Sequence, residues 1–179
     1  MLIQQHLDVG CIHPSNSAHA SLAFIILKAD KSVLPRWVNN YRVLNTNTVT
    51  DSHLLPWVDD ILADCAKGKI WSMIDMTNLF FQTRMDPDDV HLTAVTMLFS
   101  LYKWLAMPMG LHNSPAIHQR WMTAALRKHL GKICHIYWDD IIVWSDTIAD
   151  HIKHIDMVMK SLHDTRLYCN PDKCRFFEK

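Results

Sequence analysis

The chain has 179 residues, 49% hydrophobic and 20% charged, a composition suited to one ordinary globular domain or to a piece of a larger one. Its 18 basic and 18 acidic residues balance, and the pI is near 7.2. That excludes a global attraction to nucleic acid or anionic membrane, so any polyanion must be held by local basic groups.

The N-terminus "MLIQQHLDVG" lacks a basic region followed by a long apolar one, and no apolar run approaches the roughly 20 residues of a spanning helix. The chain therefore reads as an intracellular protein of cytoplasm or nucleus, not secreted and without a membrane partner. Five cysteines, Cys11, Cys65, Cys134, Cys169 and Cys174, form no framework of close pairs and read as reduced thiols. His151 and His154 share a helical face, but the Cys169 to Cys174 spacing is loose for zinc, and packed or solvated histidine is the better reading.

In chain order, His13 to Ser21 is a loop by its Pro, Asn and Ser content. "LAFIILK" reads as a strand and "PRWVNNYRVLN" as a second extended segment. "PWVDDILADCAKG" has Val58, Ile61, Leu62 and Cys65 at helical spacing, with Gly68 past the end. "KIWSMIDM" is an apolar strand ending on Asp75, and "LYKWLAMPMG" a strand and turn. "SPAIHQRWMTAALRKHLG" is a helix with Ser114 as N-cap, Pro115 at the first helical position and Gly131 as its stop. A hairpin turning at Trp138 to Asp140 follows, then a helix capped by Asp146 with Ile152, Ile155, Met159 and Leu162 on one face, and "RLYCN" returns as a strand. Strand, helix, paired strands, helix, strand outline a split βαβ sheet with helices on one face. There is no internal repeat or Gly/Ser linker.

The hairpin carries the sharpest chemical signal. In "IYWDDIIVWS", Asp139 and Asp140 sit together inside an apolar run, where buried unpaired carboxylates cost several kcal/mol or become neutral. A wet hairpin tip would account for them, although the tightest hairpins favour glycine and none is present. The split βαβ layout brings Asp75 near Asp139, so three acids converge on one sheet end. Such hard oxygen ligands suit magnesium or manganese, and two such ions together serve phosphoryl transfer in nucleases, cyclases and polymerases alike.

"YWDD", "IDMTNLFFQ", "MPMGLHNSPAIHQ", "RWVNNYRVLN" and "NPDKCRFF" together resemble the reverse transcriptases of gypsy-type LTR retrotransposons, in order and near the family's spacing. The resemblance covers essentially the whole chain. It implies an α+β right-hand polymerase fold in which one reverse transcriptase domain fragment spans residues 1–179. Fingers would occupy roughly 1–70 and 80–110, and palm 70–80 and 107–179, with thumb and RNase H regions absent.

By that resemblance Asp75, Asp139 and Asp140 are the catalytic acids. With the Met76 carbonyl they would hold two Mg2+ or Mn2+ ions. Lys28, Arg36, Phe80, Met109 and Gly110 would bind the deoxynucleoside triphosphate, Phe80 excluding the ribose 2'-hydroxyl. Tyr137, Trp138, Gln119 and Arg120 would meet template and primer, Arg127, Lys128 and Lys132 could touch phosphates, and Lys173 could protonate pyrophosphate. Implied partners are an RNA or DNA template with primer, the nucleotide, and the thumb, RNase H and integrase of a polyprotein.

The chain departs from the family at Trp138, where a modest aliphatic is usual, and at Leu79, where a small residue is usual. Leu22, Asn40, Ser100 and Lys103 depart as well. These substitutions imply impaired activity. A catalytically dead remnant that binds nucleic acid or a partner, and an unrelated two-metal phosphotransferase, are the alternatives.

Overall fold

The structure is a computed structural model that describes residues 2–27, 35–53, 57–97 and 100–178. In chain order the described elements are α1 (Leu2–Asp8), β1 (Ile12–Pro14), β2 (Ser21–Ile26), β3 (Arg36–Asn39), α2 (Arg42–Thr46), α3 (Val58–Cys65), β4 (Ile70–Asp75), β5 (Val95–Met97), β6 (Ser100–Trp104), α4 (Ser114–Leu126), β7 (Cys134–Tyr137), β8 (Asp140–Ser145), α5 (Ile148–Asp164) and β9 (Arg175–Glu178). Short 3-10 turns occupy Leu79–Gln82 and Val90–Thr93. The fold is mixed α and β, and it divides into two compact units.

The first unit comprises Met1–Thr50 and Phe80–Ser114. Its sheet runs β1-β6-β5-β2-β3, with β2 and β5 parallel and the other pairs antiparallel. Ile12, Trp37, Tyr41, Val95 and Trp104 form its core, and the Phe81 ring stacks on Trp104 at 5.4 Å. Only half of "PRWVNNYRVLN" is extended, because α2 follows β3 directly. Thr46 Oγ1 donates to the Arg42 carbonyl at 2.9 Å and Asn47 Nδ2 to that of Val43 at 2.8 Å, so both side chains turn back onto the last helical turn.

The second unit, Asp51–Leu79 with Pro115–Lys179, carries the sheet β7-β8-β4-β9. Strands β4 and β8 pair antiparallel from Ile70↔Ser145 to Asp75↔Asp140. Period-two alternation puts Ile74, Ile141 and Val143 fully inside and leaves Met73, Asp75, Asp140 and Ile142 half-buried. Helix α5 packs against β8 and β4, and α3 joins Trp144, Trp71 and Ile142 in a second apolar cluster.

Four sequence expectations are corrected in this unit. Helix α4 stops at Leu126, ahead of Gly131, because the chain bends into a turn through His129 and Leu130 before Gly131 takes φ +71. The N-cap of α5 is Thr147, whose hydroxyl accepts from the Asp150 N–H at 3.2 Å; Asp146 lies one residue outside. Its buried face runs through His151, Val158 and Leu162, and Ile152 is 55% exposed. "RLYCN" forms no strand: it meets the end of β4 through an isolated Met76–Cys169 bridge, and the returning strand is β9, beyond the "NPDKC" turn.

Candidate active site

The end of β4 fixes the first acid. Asp75 and Asp140 are directly opposed in the antiparallel register, so their side chains share one face of the sheet. Strands β7 and β8 join through the two-residue loop Trp138-Asp139, closed by the Tyr137↔Asp140 pair. The loop is pinned to β4 because the Met76 N–H donates to the Asp139 carbonyl at 2.9 Å. Three carboxylates thus gather at one sheet end, with the Asp139 side chain exposed.

The electrostatic consequence falls on Asp140. Burial, then the charges of Asp139 and Asp75, push its carboxyl above the ordinary carboxylate range, and Lys173 opposes the shift. Lys173 Nζ lies 3.5 Å from Asp75 Oδ2. The ammonium is delivered by the turn Asn170–Cys174, whose first N–H donates to the Asp75 carbonyl at 2.8 Å.

The hairpin forms without glycine at the expense of backbone strain. Trp138 takes φ +56, a left-handed conformation uncommon for a bulky residue and of the kind that concentrates at functional sites. Its ring meets Tyr137 edge-on at 6.5 Å, and both rings are about one-third exposed.

On α4, Gln119 is buried, with Nε2 3.5 Å from the Ile136 carbonyl, and among the described residues its Oε1 has no hydrogen-bond partner. Arg120 Nη2 donates to both carboxylate oxygens of Asp51 at 2.7 Å, so its charge is engaged within the unit. The neighbouring His118 is buried, which lowers its pKa to about 4 against the opposing pull of Asp139.

In the first unit, Gly110 has φ +102, and a Cβ there would stand 3.1 Å from the Asn39 carbonyl. The glycine is therefore required by the backbone itself. Asn39 Nδ2 donates to the Met109 carbonyl at 3.2 Å and Asn45 Nδ2 to that of Gly110 at 2.8 Å, so side chains on the β3–α2 segment fasten the Met109-Gly110 turn. Phe80 and Phe81 are both half-buried, and Phe81 packs against the core cluster of this unit. Arg36 begins β3, but its side chain lies outside the described residues, as does Lys28 altogether.

Residues 26–179 match the family described as "Reverse transcriptase (RNA-dependent DNA polymerase)". The chain belongs to the reverse transcriptase family. It is 36% identical over 179 residues to the retrovirus-related Pol polyprotein from transposon opus of Drosophila melanogaster, covering 98% of this chain and 18% of the relative. It is 32% identical to the corresponding polyprotein from transposon gypsy of the same organism, covering 99% and 18%. The enzymatic polyprotein of cauliflower mosaic virus (strain Strasbourg) is 35% identical, covering 99% and 26%. This reverse transcriptase segment therefore corresponds to a minor part of each polyprotein, and retrotransposon and viral polyproteins match it alike.

Solved structures agree in fold. The foamy viral protease-reverse transcriptase in complex with dsDNA has a TM-score of 0.89 at 24% identity, covering 99% of this chain and 36% of that one. The same enzyme in complex with an RNA/DNA hybrid has a TM-score of 0.88 at 24% identity, covering 98% and 23%. The α+β fingers/palm architecture is the architecture of this chain.

The family works with divalent cations, and the donor chemistry here fits them. Asp75 and Asp140 are hard oxygen donors forced into mutual repulsion that a cation relieves. Among the described residues, no group of three or more His, Cys, Asp or Glu side chains is arranged to hold a metal ion by itself. An open pair of acids is nonetheless what magnesium uses when water and substrate phosphates complete its shell.

Two features escaped sequence reasoning. One is the Asn170 turn that carries Lys173 to Asp75; its "NPD" signal marks a turn but not its target. The other is a buried chain in which Ser72 Oγ lies 2.7 Å from His151 Nε2, His151 Nδ1 2.9 Å from Ser145 Oγ, and Ser145 Oγ 2.7 Å from His154 Nδ1. The histidines considered for zinc are instead tied to serines of β4 and β8.

Proposed function

We propose that this chain is the fingers and palm segment of a gypsy-type LTR retrotransposon polymerase, with fingers near residues 1–70 and 80–110 and palm near 70–80 and 107–179. Its reaction is attack of a primer 3'-hydroxyl on the α-phosphate of a deoxynucleoside triphosphate, directed by an RNA or DNA template, with pyrophosphate leaving. The observation that carries this reading is the in-register Asp75–Asp140 pair beside the Asp139 hairpin tip, in a chain of this family.

Two Mg2+ or Mn2+ ions, when bound, would activate the attacking hydroxyl and stabilise the leaving oxygens. Asp75, Asp139 and Asp140, with the Met76 carbonyl, are the residues to hold them. Arg36 and Lys28 grip the triphosphate, Phe80 rejects a 2'-hydroxyl, and Met109 with Gly110 flanks the nucleotide. Tyr137, Trp138, Gln119 and Arg120 face template and primer. Lys173 is the candidate proton donor to pyrophosphate. The thumb, RNase H and integrase of a polyprotein are the partners, in an intracellular setting.

A second reading, a catalytically impaired remnant that retains nucleic-acid binding, is favoured by Trp138. Its bulk is held at φ +56 on the loop that presents Asp139. Primer extension on a poly(rA) template with Mg2+ or Mn2+, beside Trp138→Leu with Leu79→Ser, separates the two. Extension that rises in the double variant assigns the impairment to the pocket, and nucleic-acid binding with no extension by either protein favours the remnant.

A further inference from the structure

Asp75 is engaged at both ends by a single short turn. Its carbonyl accepts the Asn170 N–H at 2.8 Å, and its carboxylate meets Lys173 Nζ at 3.5 Å. Between these contacts the turn is closed by Asn170 itself. Its side-chain Oδ1 accepts from the Asp172 N–H at 3.2 Å, and its carbonyl accepts from the N–H groups of Lys173 at 3.1 Å and Cys174 at 3.2 Å. The Cys174 thiol donates to the same carbonyl at 3.1 Å. This is an Asx-type turn, in which a short polar side chain stands in for a backbone acceptor.

We infer that Lys173 is a resident counter-cation of Asp75, held there by Asn170 as a positioning residue, and that a divalent ion must displace it to bind. The inference rests on the polymerase reading of Asp75. An ammonium and a metal ion compete for the same oxygen and repel one another, so the contact that quiets the acid cluster in the free protein also weakens its grip on the metal. With Lys173 65% exposed, the contact is of the weak, easily exchanged kind.

The test is Mn2+ binding to the full chain, followed by electron paramagnetic resonance, with folding checked by circular dichroism. Lys173→Met should bind Mn2+ about 3- to 5-fold more tightly than wild type, the scale of a solvent-screened ion pair. Lys173→Arg should match wild type. Asn170→Ala should tighten binding in the same direction although its charge is unchanged. Adding it to Lys173→Met should bring no further gain, and Asn170→Ser, whose hydroxyl can close the turn, should restore the wild-type value. A role in fold stability alone would produce neither the non-additivity nor the tightening.

Equal or weaker binding by Lys173→Met, with Mn2+ binding still lost in Asp75→Asn, would overturn the inference and leave the polymerase reading standing. Wild-type binding that does not respond to Asp75→Asn would overturn both.

Discussion

Asp75 and Asp140 face each other across β4 and β8 as a directly opposed pair of like charges. Such a pair is destabilising by roughly 0.2–1 kcal/mol in a sheet, and Lys173, 3.5 Å from Asp75 Oδ2, offsets part of that repulsion. A fold selected for stability alone would not keep it.

Asp140→Asn should therefore stabilise the metal-free protein by about 0.5 kcal/mol in urea denaturation at neutral pH. Because the folded state raises the Asp140 pKa, folding binds protons more tightly than the unfolded chain. Stability tied to Asp140 is thus greatest below its unfolded pKa and falls as pH rises through the raised folded value. The advantage of the Asn variant should shrink as pH falls into the carboxylate range; an advantage that grows with acid would contradict the account.

Buried histidine gives the opposite slope. His118 has its pKa lowered to about 4 by burial, and His151 is lowered by burial and by His154. The unfolded chain takes up these protons first, so the stability present above about pH 6.5 is lost as pH falls toward 4. Urea midpoints at pH 7.5 and 5 should show a clear drop in the wild type and a smaller one in His118→Gln. Parallel drops in both proteins would remove His118 from the explanation.

Helix α5 tests the corrected apolar face. Leu162→Ala should cost about 2–4 kcal/mol because Leu162 is fully buried, whereas Ile152→Ala should change stability by less than about 1 kcal/mol. Comparable losses at the two positions would restore the face expected from the sequence.

Strand β4, the β7–β8 hairpin and α3 could be read because period-two and period-3.6 patterns were unbroken there and the acids stood out against apolar neighbours. Helix α5 has isoleucines on more than one face, and its buried side is set by His151 bonding to Ser72 and Ser145, a tertiary choice that local spacing does not encode. The "RLYCN" segment has strand-like composition, yet a turn capped by Asn170 takes over before pairing can extend. At the site, Asp75, Asp139 and Asp140 were visible as residue types in a pattern. The attachment of Lys173 to Asp75 was not, because it depends on where the turn lands.

Gly110 and Gly131 offer a paired test of backbone demand. Gly110→Ala meets both φ +102 and an Asn39 carbonyl 3.1 Å from the new Cβ, and should cost about 1–3 kcal/mol. Gly131→Asn enters open space at φ +71, which asparagine tolerates, and should cost less than about 1 kcal/mol. Thermal unfolding of the two variants should separate them, and equal shifts would count against a special role for the Met109-Gly110 turn.

The most direct measurement is template-directed incorporation of dTMP on poly(rA)·oligo(dT) with Mg2+ or Mn2+, using the Trp138→Leu, Leu79→Ser chain with and without Asp75→Asn. The account predicts incorporation that requires template and divalent ion and falls at least about 100-fold with Asp75→Asn, the scale expected when transition-state charge stabilisation is removed. Incorporation that survives Asp75→Asn, or that proceeds without template, would contradict it.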